Sequence, residues 1–321
     1  MNFIQQAYKG NNEWYHWVLT IFLVFIGWQI IGGLPLMGLA FSHSAGLAEF
    51  TKAAQDNFMT LGIDKNLFLF FMILMFIFGL ISLIIGVKYI HKRTLKSIIT
   101  SRKSIDWNRF WFGFVIWGIL ASIVIMVGIY MSPENYDWNF KPKPFFTLVA
   151  VSFLFLPFQT SFEELLFRGY FMQGLGVLAK NRWVPLIFTS VCFGLLHGAN
   201  PEVEKLGYIS MVFYIGTGLF YGITTLMDEG TELALGLHAI NNIVAAFFVT
   251  TNWTVFQTDA LYVDTSEPSV GWETFFPVLV LYPLLLFVFS KKYGWKNWIE
   301  KLTGKIEQPI SLQENYSFLE D

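Results

Sequence analysis

Charge is what this sequence has least of. Asp, Glu, Lys and Arg make up 14% of its 321 residues, against 55% hydrophobic and 19% aromatic, and the mean hydropathy is +0.52. Soluble domains carry about 25% charged residues, so the deficit excludes a water-exposed surface all round. Cysteine is nearly missing: Cys192 stands alone inside an apolar run. That rules out an intrachain disulfide framework and a cysteine-based metal site. Neither sign of charge dominates, since the net charge is −2, and no global basic field points to nucleic acid. A cleavable leader is not expected either. Only Lys9 precedes the first long apolar run and no small-residue cleavage site follows, so the first span should stay in place as an anchor.

Long apolar runs are abundant. Eight of them, at 17–41, 66–88, 110–131, 145–173, 184–198, 208–227, 232–250 and 272–290, reach or approach the roughly 20 residues a helix needs to cross the hydrocarbon core. The fifth is short unless its flanks extend it. Backbone groups in lipid must be satisfied within the segment, so helices are expected, and the runs lack the period-2 alternation of a barrel. The fold class is therefore all-α, a polytopic membrane protein of about eight transmembrane helices, with no internal repeat and no second soluble domain.

Basic residues orient these spans. The 88–109 connection holds Lys88, Lys92, Arg93, Lys96, Arg102, Lys103 and Arg109, and the segment after the last span holds Lys291, Lys292, Lys296, Lys301 and Lys305. The 251–273 connection has no Lys or Arg but carries Asp259, Asp264, Glu267 and Glu273. By the positive-inside rule both termini and the 88–109 connection lie in the cytoplasm, in the plasma membrane, with Lys180 and Arg182 on the same side. Residues 291–302, with Tyr293, Trp295 and Trp298, suit an interfacial helix, and those after about 307 a loose polar tail. The Phe and Met residues of the second span, Met72 and Phe76 among them, are expected to face lipid or neighbouring helices. Gly216, Gly218 and Gly222 permit close helix contact.

An ionisable side chain at membrane depth costs at least ~2.5–3.5 kcal/mol on insertion scales, so each such residue is a functional candidate. They concentrate between 160 and 242: Glu163, Glu164 and Arg168 in Ser-Phe-Glu-Glu-Leu-Leu-Phe-Arg, His197 in Phe-Gly-Leu-Leu-His, and His238 with Asn242 in His-Ala-Ile-Asn-Asn. Glu164 and Arg168, four apart, share a helix face and neutralise each other. Glu163 points elsewhere and is the carboxylate left for chemistry. If the fourth and fifth spans form a hairpin turning near Lys180, Glu163 and His197 lie equally far from the turn and hence at one depth. His238 and Asn242 again share a face.

This inventory suits peptide hydrolysis. A carboxylate in low dielectric serves as general base, one histidine orients water or relays a proton, and a second histidine with an asparagine amide stabilises the oxyanion. Glu163, His197 and His238 could equally bind Zn²⁺ with an open fourth position. The residues do not separate a zinc mechanism from a metal-free one, and the His-Glu-x-x-His motif of zincins is missing.

In this order on consecutive apolar segments, Glu163-Glu164-x-x-x-Arg168, Phe193-x-x-x-His197 and His238-x-x-x-Asn242 resemble the signature of the CPBP family, the CAAX prenyl endopeptidases and bacteriocin-processing or immunity-type membrane proteins. The resemblance covers about 145–250. It implies an intramembrane endopeptidase with a cavity open to the cytoplasm. Glu163 and His197 would be its water activators, His238 and Asn242 its oxyanion pair, and Glu164, Arg168 and Phe193 structural support. It implies a peptide or protein substrate, prenylated or otherwise membrane-bound, and leaves a divalent metal optional. Three regions are expected: helices 1–3 with the basic loop over 1–144, a catalytic core of helices 4–7 over 145–250, and an acidic loop, eighth helix and tail over 251–321. Two other readings compete: a non-catalytic immunity or scaffold factor of the same fold, and a proton-coupled transporter. Oligomeric state is open.

Overall fold

The computed structural model describes residues 1–309; the remainder of the polar tail expected after about 307 lies outside the described residues. Among the described residues eight apolar helices follow one another: α1 (Trp14–Ser42), α2 (Lys65–Ile90), α3 (Trp107–Met131), α4 (Pro142–Ala179), α5 (Trp183–Ala199), α6 (Tyr208–Asp228), α7 (Glu232–Phe247) and α8 (Thr274–Tyr293). Six are long and apolar enough to cross a membrane, while α5 and α7 are shorter. The protein is an all-α polytopic membrane protein.

Local chemistry sets the helix ends. The carboxylate of Asp64 accepts the N–H of Leu67 at 2.9 Å and that of Asp106 accepts the N–H of Asn108 at 3.1 Å, which starts α2 and α3 by satisfying orphan donors. Pro142 opens α4, where its missing N–H costs nothing. The α4–α5 hairpin turns at Lys180, whose φ is +53°, and Asn181 Oδ1 then accepts the N–H of Val184 at 2.9 Å to begin α5.

Helices α4, α6 and α7 meet at a core that includes Leu148, Leu156, Phe220, Leu233, Leu237 and Ile243. Helix α3 packs along α7 so closely that a Cβ on Gly236 would lie 2.0 Å from the carbonyl oxygen of Phe110; no residue but glycine fits there. The outward faces carry exposed Phe22, Phe25, Val115, Ile119, Ile123, Leu154 and Phe287, a surface that only lipid covers without penalty.

The two ends of the bundle differ. At the basic end, the α6–α7 turn is clamped. Arg102 binds Asp228 at 2.8 Å and Glu232 at 3.0 Å, Arg109 also pairs with Asp228, and Arg182 and Lys301 pair with Glu229. The 88–109 loop therefore has a structural role. Trp295 belongs to the same knot: it is buried and its indole N–H donates to Asp228 Oδ1 at 3.0 Å. This corrects the expected interfacial helix over 291–302. Helix α8 runs on to Tyr293, Trp295 packs inward, and only Trp298–Thr303 forms a separate short helix. At the acidic end lies a feature the hydropathy did not announce, a small sheet of β1 (Tyr136–Trp138), β3 (Tyr262–Asp264) and β2 (Val249–Thr250), in that order. The first pair is antiparallel and the second parallel.

Candidate active site

Helix α4 carries the two glutamates into the middle of the bundle. Its backbone widens into a π-type turn over Leu165–Phe171, directly after Glu164; such turns recur at functional sites because they re-aim side chains. Glu164 and Arg168 are fully buried. The Arg168 guanidinium donates to Glu164 Oε1 at 3.0 Å and to the carbonyl of Gly218 on α6 at 3.0 Å. Its carbon lies 4.3 Å from the Phe193 ring centroid, so Phe193 shields the cation from the side. Gly218 is small for a reason: a Cβ there would sit 2.7 Å from the carbonyl oxygen of Ser190.

Glu164 also receives His238. The imidazole Nδ1 of His238 is 2.8 Å from Glu164 Oε1, and its Nε2 is 3.6 Å from Glu163 Oε2. The ring thus bridges the two carboxylates. Because a carboxylate only accepts, Nδ1 carries the proton shared with Glu164, and Nε2 is the nitrogen turned to Glu163. Gln159, one turn before Glu163, donates to Glu163 Oε1 at 3.4 Å.

His197 ends α5. Its Nδ1 lies 2.8 Å from the carbonyl of Phe193, which again demands a proton on Nδ1 and leaves Nε2 as the acceptor nitrogen. The ring stacks on Tyr214 at 4.6 Å and 20°. Phe193 stands between the two imidazoles, with centroids 4.8 Å from His197 and 5.9 Å from His238, and Tyr221 covers the far face of His238 at 5.1 Å. Trp117 of α3 donates to Asn241 Oδ1 of α7 at 3.1 Å, and Asn241 donates to Asn242 Oδ1 at 3.1 Å. That relay holds the oxygen of the Asn242 carboxamide and leaves its NH₂ end to donate.

Glu163, His197, His238 and Asn242 all line one cavity of about 640 Å³. The supporting Glu164 and Arg168 lie outside its lining, while Phe193 forms part of the wall. Several lining residues escaped the sequence. Met72 and Phe76, expected to face lipid or pack, do pack against the core and also line the cavity. Gln159 had a signal, four residues before Glu163 on the same helix. Tyr214 and Glu202 had none, since they join the site only through α6 and the loop before it. Tyr214 donates its hydroxyl to Glu202 Oε1 at 2.6 Å, and Glu202 Oε2 accepts the N–H of Val255 at 3.0 Å.

Glu163, His197 and His238 do not form a ready metal centre. Among the described residues no group of three His, Cys, Asp or Glu side chains stands close enough to hold a metal ion, while the bond from His238 Nδ1 to Glu164 fixes the ring with Nε2 turned to Glu163.

The cavity lies toward the acidic end of the bundle. Its lining on α5 begins at Phe193, on α6 it is Phe213, Tyr214 and Thr217, and beyond α7 it continues through Val249 to Thr251, Thr254, Val255 and Phe256. These are the acidic-end parts of each element. A cavity open to the cytoplasm and basic loops in the cytoplasm are incompatible expectations here, because the cavity and the basic loops are at opposite ends.

Residues 142–244 match the family model of Rce1-like type II CAAX prenyl endopeptidases. The segment resembles that family. The Rce1-like segment runs from the start of α4 into α7 and contains every residue of the Glu163–His197–His238–Asn242 constellation. The whole chain is also similar to the uncharacterized protein YyaK of Bacillus subtilis (strain 168), at 27% identity over 287 residues, covering 87% of this chain and 93% of the relative. No solved structure matches the chain.

Proposed function

We propose that this chain is an intramembrane endopeptidase that hydrolyses a peptide bond with a water activated by Glu163 and His197. One observation carries the reading: His238 joins two adjacent glutamates of unlike roles, one paired with Arg168 and one facing the cavity. Glu163 accepts a proton from water as the water oxygen bonds to the scissile carbonyl carbon. The acceptor Nε2 of His197 orients that water. In its proton-bearing form His238 Nε2, together with the Asn242 amide, donates to the carbonyl oxygen as it becomes an oxyanion. When the C–N bond breaks, the proton held by Glu163 passes to the leaving nitrogen. Glu164, Arg168 and Phe193 hold His238 at the correct angle and take no proton from substrate.

The match of residues 142–244 to a prenyl endopeptidase family supports a peptidase over a silent scaffold. The one-ended cavity lining gives less support to a transporter, which needs access from both sides. The partner is a peptide or protein chain reached in the bilayer, and a farnesylated CAAX peptide is the probe that the matched family's description suggests. The test uses purified wild type and Glu163→Ala in detergent, each incubated with a farnesylated CAAX peptide and with a peptide library, with and without chelator. Cleavage by wild type, lost in the variant and indifferent to chelator, is expected. Equal turnover by both proteins removes Glu163 from the mechanism.

A further inference from the structure

We infer that the cavity opens on the non-cytoplasmic side of the membrane, so that the substrate is a membrane-seated peptide presented from outside, not a cytosolic carboxyl terminus. This rests on the peptidase reading only for the word substrate; the side of the opening stands on its own observations.

The basic end is shut. Asp228 and Glu232, at the α6–α7 turn, are buried under Arg102 and Arg109, and Trp295 packs onto Asp228. Deeper in, the fully buried Glu164–Arg168 pair, anchored on the Gly218 carbonyl, separates that knot from the cavity floor. The acidic end is where the lining continues into loops. Glu202 ties the 251–256 loop to the site, accepting from Tyr214 beside His197 and from the backbone of Val255. Every arginine outside the bundle interior and most lysines lie at the closed end, while the open end holds Lys52, Lys65, Lys141, Lys143 and Lys205 and the 251–273 loop, which has neither. Positively charged loops stay in the cytoplasm during insertion. The mouth then lies outside.

The wall is also open sideways. Gln29, in the middle of α1, and Leu196 of α5 both line the cavity and are both exposed. A glutamine exposed to hydrocarbon is costly, and bordering a cavity that admits a peptide backbone removes that cost. A segment lying in the outer leaflet can enter between these helices, with its polar backbone meeting Gln29 before it reaches Glu163.

The test starts from a Cys192→Ala background and places one cysteine at exposed Asn252, on the loop at the mouth, or at exposed Lys103, on the basic loop. A charged, membrane-impermeant maleimide is added to intact cells. Asn252→Cys is expected to label as fully as after permeabilisation, and Lys103→Cys only after permeabilisation. The reverse pattern overturns the inference. Should the cysteine-free background fail to accumulate, a green fluorescent protein fused to the C-terminus of the natural chain decides the same point. Fluorescence supports a cytoplasmic basic end, and a folded-membrane fraction without fluorescence overturns it. A fluorogenic peptide library is then offered to right-side-out and inverted vesicles of wild type and Glu163→Ala. Glutamate-dependent cleavage confined to right-side-out vesicles supports the inference, and cleavage confined to inverted ones overturns it. Asn252→Cys labelled from outside with no cleavage in either orientation leaves the outward mouth standing and removes the peptidase reading.

Discussion

At the residue scale, adjacent glutamates differ because their neighbours differ. Glu164 has a cation, a histidine and full burial, whereas Glu163 has an amide and the cavity. Glu163→Gln keeps the shape and removes the base, so cleavage should fall by about 10²–10⁴-fold, the usual range for a general base, with thermal stability in detergent unchanged. Arg168→Met should do the opposite first. It leaves Glu164 charged and unpaired in the interior, a loss of about 3–5 kcal/mol when a buried pair is broken. A fall in melting temperature and in folded yield measures it, and a stable Arg168→Met protein would show that the pair is dispensable. Substituting Asn242 with Leu should reduce turnover by about 10²–10³-fold, the range for removing one oxyanion donor. Substrate affinity should be little changed, as read from separate kcat and KM values.

At the scale of elements, the site depends on how closely α5 and α6 approach. Arg168 uses the Gly218 carbonyl as its second anchor, and Gly218 lies against the Ser190 backbone. Gly218→Ala must push these helices apart, at about 1–3 kcal/mol for overpacking, and move the arginine with them. Lower melting temperature together with weaker cleavage is expected; a change in neither would mean the helix spacing is set elsewhere. The π-type turn in α4 acts in the same way, re-aiming Arg168 beneath Glu164 within one helix. Hydropathy located both helices but could not report a contact between a glycine and a carbonyl far away in sequence.

Across the whole molecule, one buried histidine ties three distant parts together. His91, just past α2, places Nδ1 2.7 Å from the Asn11 carbonyl and Nε2 2.8 Å from the hydroxyl of Tyr170 on α4. Burial, aided by the nearby Arg93 cation, pushes its pKa down to about 4 from the ordinary 6.5, against an opposing hydrogen bond to Asn11. The unfolded chain takes up this proton near pH 6.5, while the folded chain resists until about 4. Unfolding is therefore favoured progressively as pH falls through that window, and the contribution is fully present above it. Melting temperature in detergent should drop between pH 6.5 and 4 in wild type and drop less in His91→Gln. Equal slopes in the two proteins would assign the acid sensitivity to other groups.

The spans, their order, the basic bias of one end and the identity of the costly polar residues were all determined by the sequence alone. Each follows from a local property: the transfer cost of a side chain, or the need of a segment in lipid to satisfy its own backbone. The i,i+4 pairing of Glu164 with Arg168 is local in the same sense. Tertiary structure alone decided which nitrogen of His238 meets which glutamate, the Phe193 ring between the two imidazoles, Tyr214 and Glu202 behind His197, and the end at which the cavity opens. Those outcomes depend on the rotation and tilt of helices against one another. These are set by packing between residues far apart in the chain, and no single run of sequence encodes them.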